Sequence, residues 1–179
     1  MNLEFYIEKL NDSEEYKKFL KKNKDAFLAS AFFVIDKKGN DNKQHFDYFI
    51  PSKDKMFSFS LENGCKKTPV EMVDKNSIKK ENAIDLEDLS IDFDKIEERI
   101  SNEMQAQKVK NKIHKLLLSL QKKDNKDYIL ATVFISNMGL LKVTINLDGM
   151  KIEDFEKKSF MDFLKIEGKG KKKSKQGKK

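Results

Sequence analysis

The stretch Lys21-Lys22-Asn23-Lys24-Asp25-Ala26-Phe27-Leu28-Ala29-Ser30-Ala31-Phe32-Phe33 decides the fold, because it returns as Lys122-Lys123-Asp124-Asn125-Lys126-Asp127-Tyr128-Ile129-Leu130-Ala131-Thr132-Val133-Phe134-Ile135. Apart from the extra Asp124, the two match by identity or by residue type. Each basic lead-in is followed by a run whose two alternating sets are both apolar or small: Phe27, Ala29, Ala31, Phe33 and Ile35 against Leu28, Ser30, Phe32 and Val34 in the first copy. A run that is apolar on both sides suits a central strand better than an edge. Two central strands are expected, and their recurrence points to an internal duplication.

Upstream of the first copy, Leu3, Ile7 and Leu10 have helical spacing. Asp12 with Glu15 forms a capping-box pattern that opens a second helical stretch to about Lys22, with Tyr16, Phe19 and Leu20 on one face. Downstream, Phe46, Tyr48 and Ile50 alternate with His45, Asp47 and Phe49 until Pro51, and Phe57, Phe59 and Leu61 alternate with Ser58 and Ser60 until Asn63-Gly64. This is a three-stranded antiparallel meander. Pro69 to Val73 fits a short edge strand, and Lys75 to Asp92 a polar connector.

Ahead of the second copy, Asp94 and Glu97 repeat the capping-box pattern. Ile96, Ile100 and Met104, then Val109, Ile113, Leu116, Leu117 and Leu120, carry a helical stripe to Lys122, with a bend or break between Met104 and Val109. Beyond the copy, Asn137-Met138-Gly139 makes a turn, Leu141, Val143, Ile145 and Leu147 alternate with polar residues, and Asp148-Gly149 suits a tight hairpin. Ile152, Phe155, Phe160, Phe163 and Leu164 fit a short strand followed by a helical turn, or a single helix; the strand is preferred.

The expected fold class is therefore α+β. A helix-plus-antiparallel-meander unit (α-β-β-β) occurs twice, over about 1–74 and 94–166, joined by a polar connector at 75–93. The helices pack on antiparallel sheet in one domain over 1–167, and 168–179 form a disordered Lys-rich tail. The strands can join into one continuous sheet or form two small sheets in tandem. A helix followed by a curved antiparallel meander, present twice, resembles the cystatin-like and PepSY-like folds, and Phe27-Leu28-Ala29-Ser30 with Phe46-Asp47-Tyr48-Phe49-Ile50-Pro51, and Gly139-Leu140-Leu141-Lys142-Val143 with Ser159-Phe160-Met161-Asp162-Phe163, resemble a group of small archaeal proteins. That resemblance covers most of 13–164, contains no functional motif, and implies the fold alone.

At 179 residues the chain suits a single core. Its 14 Phe separate it from disordered chains of similar charge content. The lone Cys65 can form no internal disulfide, and Met1-Asn2-Leu3-Glu4-Phe5 lacks the basic-then-apolar pattern of a secretory signal, so a cytoplasmic location is expected. The apolar run Ala26 to Ile35 falls well short of the roughly 20 residues of a membrane span.

The formal charge of +7 is concentrated at one end. Lys169, Lys171, Lys172, Lys173, Lys175, Lys178 and Lys179 follow Gly168 with no acid among them. Removing those seven from 37 basic residues leaves 30 against 30 acidic ones, so the body is formally neutral. A lysine tail without apolar residues gathers phosphates by counterion release, which nominates RNA, the ribosome or another polyanion as its partner; the alternative role is solubilisation.

Catalytic, metal and cofactor sites are not expected. His45 and His114 lack the neighbouring His or Cys of a zinc site and suit satisfied histidines. Cys65 has no nominated base. The acids Glu87-Asp88, Asp92 to Asp94 and Glu97-Glu98 lack calcium-loop spacing and suit caps and solvated faces. Phe46, Tyr48, Phe57 and Phe59 suit core packing, since no RNA-recognition motif surrounds them. The expected function is that of a binding or adaptor protein whose sheet recognises a protein or small ligand. The alternatives are an enzyme whose site assembles only in the fold, around 81–98, His45 or Cys65, and a structural subunit that pairs through a sheet edge.

Overall fold

A computed structural model of the chain describes residues 2–71, 78–79, 82–86 and 89–159. The elements run α1 (Leu3–Asn11), α2 (Glu14–Lys22), β1 (Phe27–Asp36), β2 (Lys43–Ile50), β3 (Lys55–Ser60), β4 (Lys66–Val70), α3 (Phe93–Ala106), β5 (Ile113–Lys123), β6 (Lys126–Ile135), β7 (Gly139–Asn146) and β8 (Lys151–Ser159). The eight strands form one antiparallel sheet in the order β4-β3-β2-β1-β5-β6-β7-β8. Of the two assemblies open to the sequence, this is the continuous one. The two meanders meet at β1 and β5, in register from Ala31 opposite Leu120 to Asp36 opposite Lys115.

β5 corrects the sequence reading. The stripe through Ile113, Leu116, Leu117 and Leu120 is not helical: α3 stops at Ala106, and Lys108 at φ 57° leads out of it. Leu116, Leu118 and Leu120 are fully buried while Leu117 and Ser119 between them are half-buried, which is a period of two. A leucine-rich run satisfies both periods, and pairing on both sides selects the strand, since a helix there would leave the central β1 as an open edge. Four strands thus follow the helices in each half, where three were expected.

The quoted likeness also falls out of step with the topology. Its first copy ends a helix, while Lys122-Lys123 ends β5 and Asp124 and Asn125, both at positive φ, make a two-residue hairpin into β6. The likeness therefore joins β1 to β6, whereas the strand order makes β5 the counterpart of β1.

The caps sit close to their expected places. Ser13, not Asp12, caps α2 by accepting the Tyr16 N–H at 3.3 Å, and Asp92, not Asp94, caps α3 by accepting the Asp94 N–H at 2.9 Å. Each has extended backbone one residue before its helix, the geometry a cap requires. Asn2 caps α1 in the same manner.

All three helices cover the same face of the sheet. Leu3, Leu10, Phe19, Ile96 and Ile100 share one core with Phe46, Phe59, Leu118, Val133 and Val143. Under α1 and α2 this core is aromatic: Tyr6 of α1 meets Phe33 at 6.1 Å, and Phe19 of α2 meets Phe59 edge-on at 5.0 Å. Such pairs add about 0.5–1.5 kcal/mol beyond their burial. Under α3 the strands contribute aliphatic residues, Val133, Leu141, Val143 and Ile145.

The connector is less detached than its polarity suggests. Ile84 and Ile91 are buried, the Ile84 N–H donates to the Leu28 carbonyl at 2.9 Å, and the Leu3 N–H donates to Ile91 at 2.9 Å. The preferred strand over Ile152 and Phe155 is present as β8, and the short edge strand is β4, beginning at Lys66. Met72, Val73, Glu87, Asp88, Phe160, Phe163, Leu164 and the whole tail lie outside the described residues. Among the described residues no helix is long and apolar enough to cross a membrane.

Candidate functional site

Every second residue of the strands points away from the helices, so the sequence alternation that builds the core also builds a second face. In the middle of that face Phe32, Val34, Leu117 and Leu130 lie on adjacent strands: Val34 is opposite Leu117, Phe32 is opposite Ser119, and Ser119 is opposite Leu130. Leu130 is exposed. Towards β2 and β3 the face turns polar: the Ser30 hydroxyl donates to Asp47 at 3.0 Å, and Asp47 stands opposite Ser58. Among the described residues the buried Ser58 hydroxyl has no hydrogen-bond partner. Ile78, Lys79 and Asn82 reach one corner of the face, beside Phe27, Ser30 and Met56.

At the opposite end of β2, His45, Ser60 and Glu62 line an open polar groove together with Lys9 and Asn42. His45 Nε2 lies 3.0 Å from Glu62 Oε1, which also accepts the Gln44 N–H at 3.1 Å. The Phe32 ring meets the imidazole edge-on at 6.5 Å. Ser60 faces His45 across the β2–β3 pair, but no hydrogen bond joins them, so the serine is not activated. The arrangement fixes the imidazole without supplying a nucleophile. Glu62 as partner of His45 was not foreseen; the signal was register, because Glu62 lies two residues beyond the serine that opposes His45.

Cys65 lies apart from this pair, beside Ser13, Glu15 and Lys9. Burial pushes its thiol up, opposed by a hydrogen bond with Ser13, which leaves a poor nucleophile at neutral pH. Among the described acids of 81–98, Asp92 caps α3 and Glu97 pairs with Lys37 at 2.9 Å, so these two do not share one site. Among the described residues no group of three or more His, Cys, Asp or Glu is placed to hold a metal ion. His114 lies on β5, away from His45 on β2.

Several lysines of the body stand next to acids. Lys115 bridges Asp36 and Asp41 at 3.6 and 3.0 Å, Lys43 meets Asp41 at 3.1 Å, Lys67 meets Glu15 at 3.2 Å, and Lys158 meets Glu156 at 3.1 Å. Lys67 also sits over the rings of Phe19 and Phe57. The polyanion-binding residues named from sequence, Lys169 to Lys179, lie outside the described residues.

No family model matches the chain, and no curated protein is similar enough to count as a relative. One similar solved structure is a "putative lipoprotein" from Clostridium difficile 630, at 12% identity and a TM-score of 0.54, covering 81% of this chain and 91% of that one. At that identity the likeness concerns the fold alone.

Proposed function

We propose that this chain is a non-enzymatic binding protein whose folded body recognises a partner molecule while Lys169, Lys171, Lys172, Lys173, Lys175, Lys178 and Lys179 tether it to RNA, the ribosome or another polyanion. The observation that carries this reading is the partition of charge. The body is formally neutral and holds several of its lysines, Lys37, Lys43 and Lys115 among them, in ion pairs with its own acids, whereas the tail sequence brings seven cations and no acid. A run of lysines collects phosphate oxygens with little sequence preference. Recovery of the tagged chain from lysate with and without nuclease tests it: co-purifying nucleic acid that disappears when the chain ends at Glu167 supports the tether, and its absence from both samples contradicts it.

A cytoplasmic location belongs to the same reading, and fractionation that finds the chain with the membrane would oppose it. We also infer that the two halves derive from one duplicated unit of the cystatin-like or PepSY-like kind, made of helix and four strands. Support comes from the strand order, which runs outward from β1 and β5 in the same sequence on either side. Superposition of the two halves at atomic resolution, with β1 laid on β5, is the check.

A further inference from the structure

On the helical side of the sheet, α1, α2, the start of β1 and connector residues 83–86 enclose an open cavity of about 560 Å³, within the size range of small-molecule sites. Its walls include Ile7, Leu20, Ala26, Leu28 and Ile84. Two nearly buried tyrosines, Tyr16 and Tyr48, also line it, and their hydroxyl oxygens are 2.6 Å apart. Two hydroxyls bring two protons, and a single bond between them uses one. The second proton has no acceptor among the described residues, so the pair can donate to a ligand. Lys122, which has no ion pair among the described residues, also lines the cavity, as does Asp85.

We propose that this cavity binds a small amphipathic carboxylate, with an aliphatic body between Leu20 and Ile84 and its carboxylate taken by the tyrosine pair and Lys122. The tyrosines suit donation because burial pushes both phenols up, and they keep their protons at neutral pH. An alcohol of the same length would fill the walls but forgo the ammonium. A quaternary amine would meet a donor and a cation, and be rejected by both. The site does not depend on the tail, and the two readings fail separately: a chain ending at Glu167 loses the tether and retains the cavity.

The test is titration of the ¹⁵N-labelled full chain with decanoate, decan-1-ol and decyltrimethylammonium below their micellar concentrations. Decanoate should shift the amides of Leu20, Ile84 and Leu86 and bind about tenfold tighter than the alcohol, as charge-assisted hydrogen bonds allow. Lys122→Gln should erase that preference, and Tyr48→Phe should weaken decanoate about tenfold. Equal affinity for the acid and the alcohol, or shifts confined to other parts of the chain, would overturn the proposal. The comparison of probes on the unsubstituted chain needs no variant to fold.

Discussion

The hydroxyls of Tyr16 on α2 and Tyr48 on β2 lie 2.6 Å apart, and both rings pack against Phe59, so the pair joins the helical layer to the sheet by a polar contact among buried aromatic rings. Removing one hydroxyl leaves the other buried without its partner, at a cost of about 1–3 kcal/mol, whereas removing both leaves an apolar contact. Urea unfolding of Tyr16→Phe, Tyr48→Phe and the double variant should therefore show the double variant less destabilised than the sum of the singles. Additive losses would mean that the hydroxyls act independently.

The same pair shapes the alkaline limit. Burial raises the phenol of Tyr48, and also those of Tyr16 and Tyr6. A group whose folded value is raised contributes stability that is complete below its unfolded value, about 10, and lost as pH rises beyond it, because only the unfolded chain can then release the proton. Stability should fall above about pH 10, and Tyr48→Phe should flatten that fall. An unchanged alkaline limb in the variant would contradict the burial of this phenol.

At the acid end the sign reverses. The Asp36 carboxylate accepts the N–H groups of Lys38 and Gly39, each at 3.1 Å, and Lys115 stands nearby; these hold it below the ordinary carboxylate range. Asp41 is lowered chiefly by Lys115 and Lys43. Such groups contribute above their unfolded value, near 3.9, and the contribution is lost as pH falls through the folded value. Asp36→Asn should reduce the dependence of stability on pH below about 4, read from urea midpoints across an acid series. The wild-type slope persisting in the variant would show that Asp36 has no part in it.

Most of the fold was legible where one face alone meets the core. β2, β3 and β7 announce themselves by alternation, and α1 and α2 by spacing and caps, because burial on one side writes its period into the sequence. β5 was not legible: Leu116-Leu117-Leu118 is apolar without a break, and a central strand has partners on both sides that no local period records. The site followed the same division. The His45–Glu62 pair and the tyrosine hydroxyls arise from register between elements distant in the chain, which no local spacing records.

Leu117 and Leu118 separate the two readings of β5. A helical stripe would bury Leu117 and turn Leu118 outward, whereas the strand buries Leu118 completely and leaves Leu117 half-buried on the opposite face. Leu118→Ala should cost about 2–5 kcal/mol and Leu117→Ala clearly less, measured by urea denaturation. The reverse order would restore the helix.

At the start of α2, Ser13→Ala should cost about 1 kcal/mol by leaving the Tyr16 N–H without its cap, while Asp12→Ala should cost little. Thermal unfolding of both variants decides between the two candidate caps, and an equal or larger loss at Asp12 would favour the capping box read from sequence.

The central claim is that the tail, and not the neutral body, holds polyanions. Its most direct measurement is the binding of labelled single-stranded RNA across a salt series, by the full chain and by a chain ending at Glu167. With all seven tail lysines engaged, the log–log slope should be roughly −5 and should collapse on truncation. Equal binding and equal slope in the two chains would place the contact on the body and contradict the account, as would a full chain that does not bind at all.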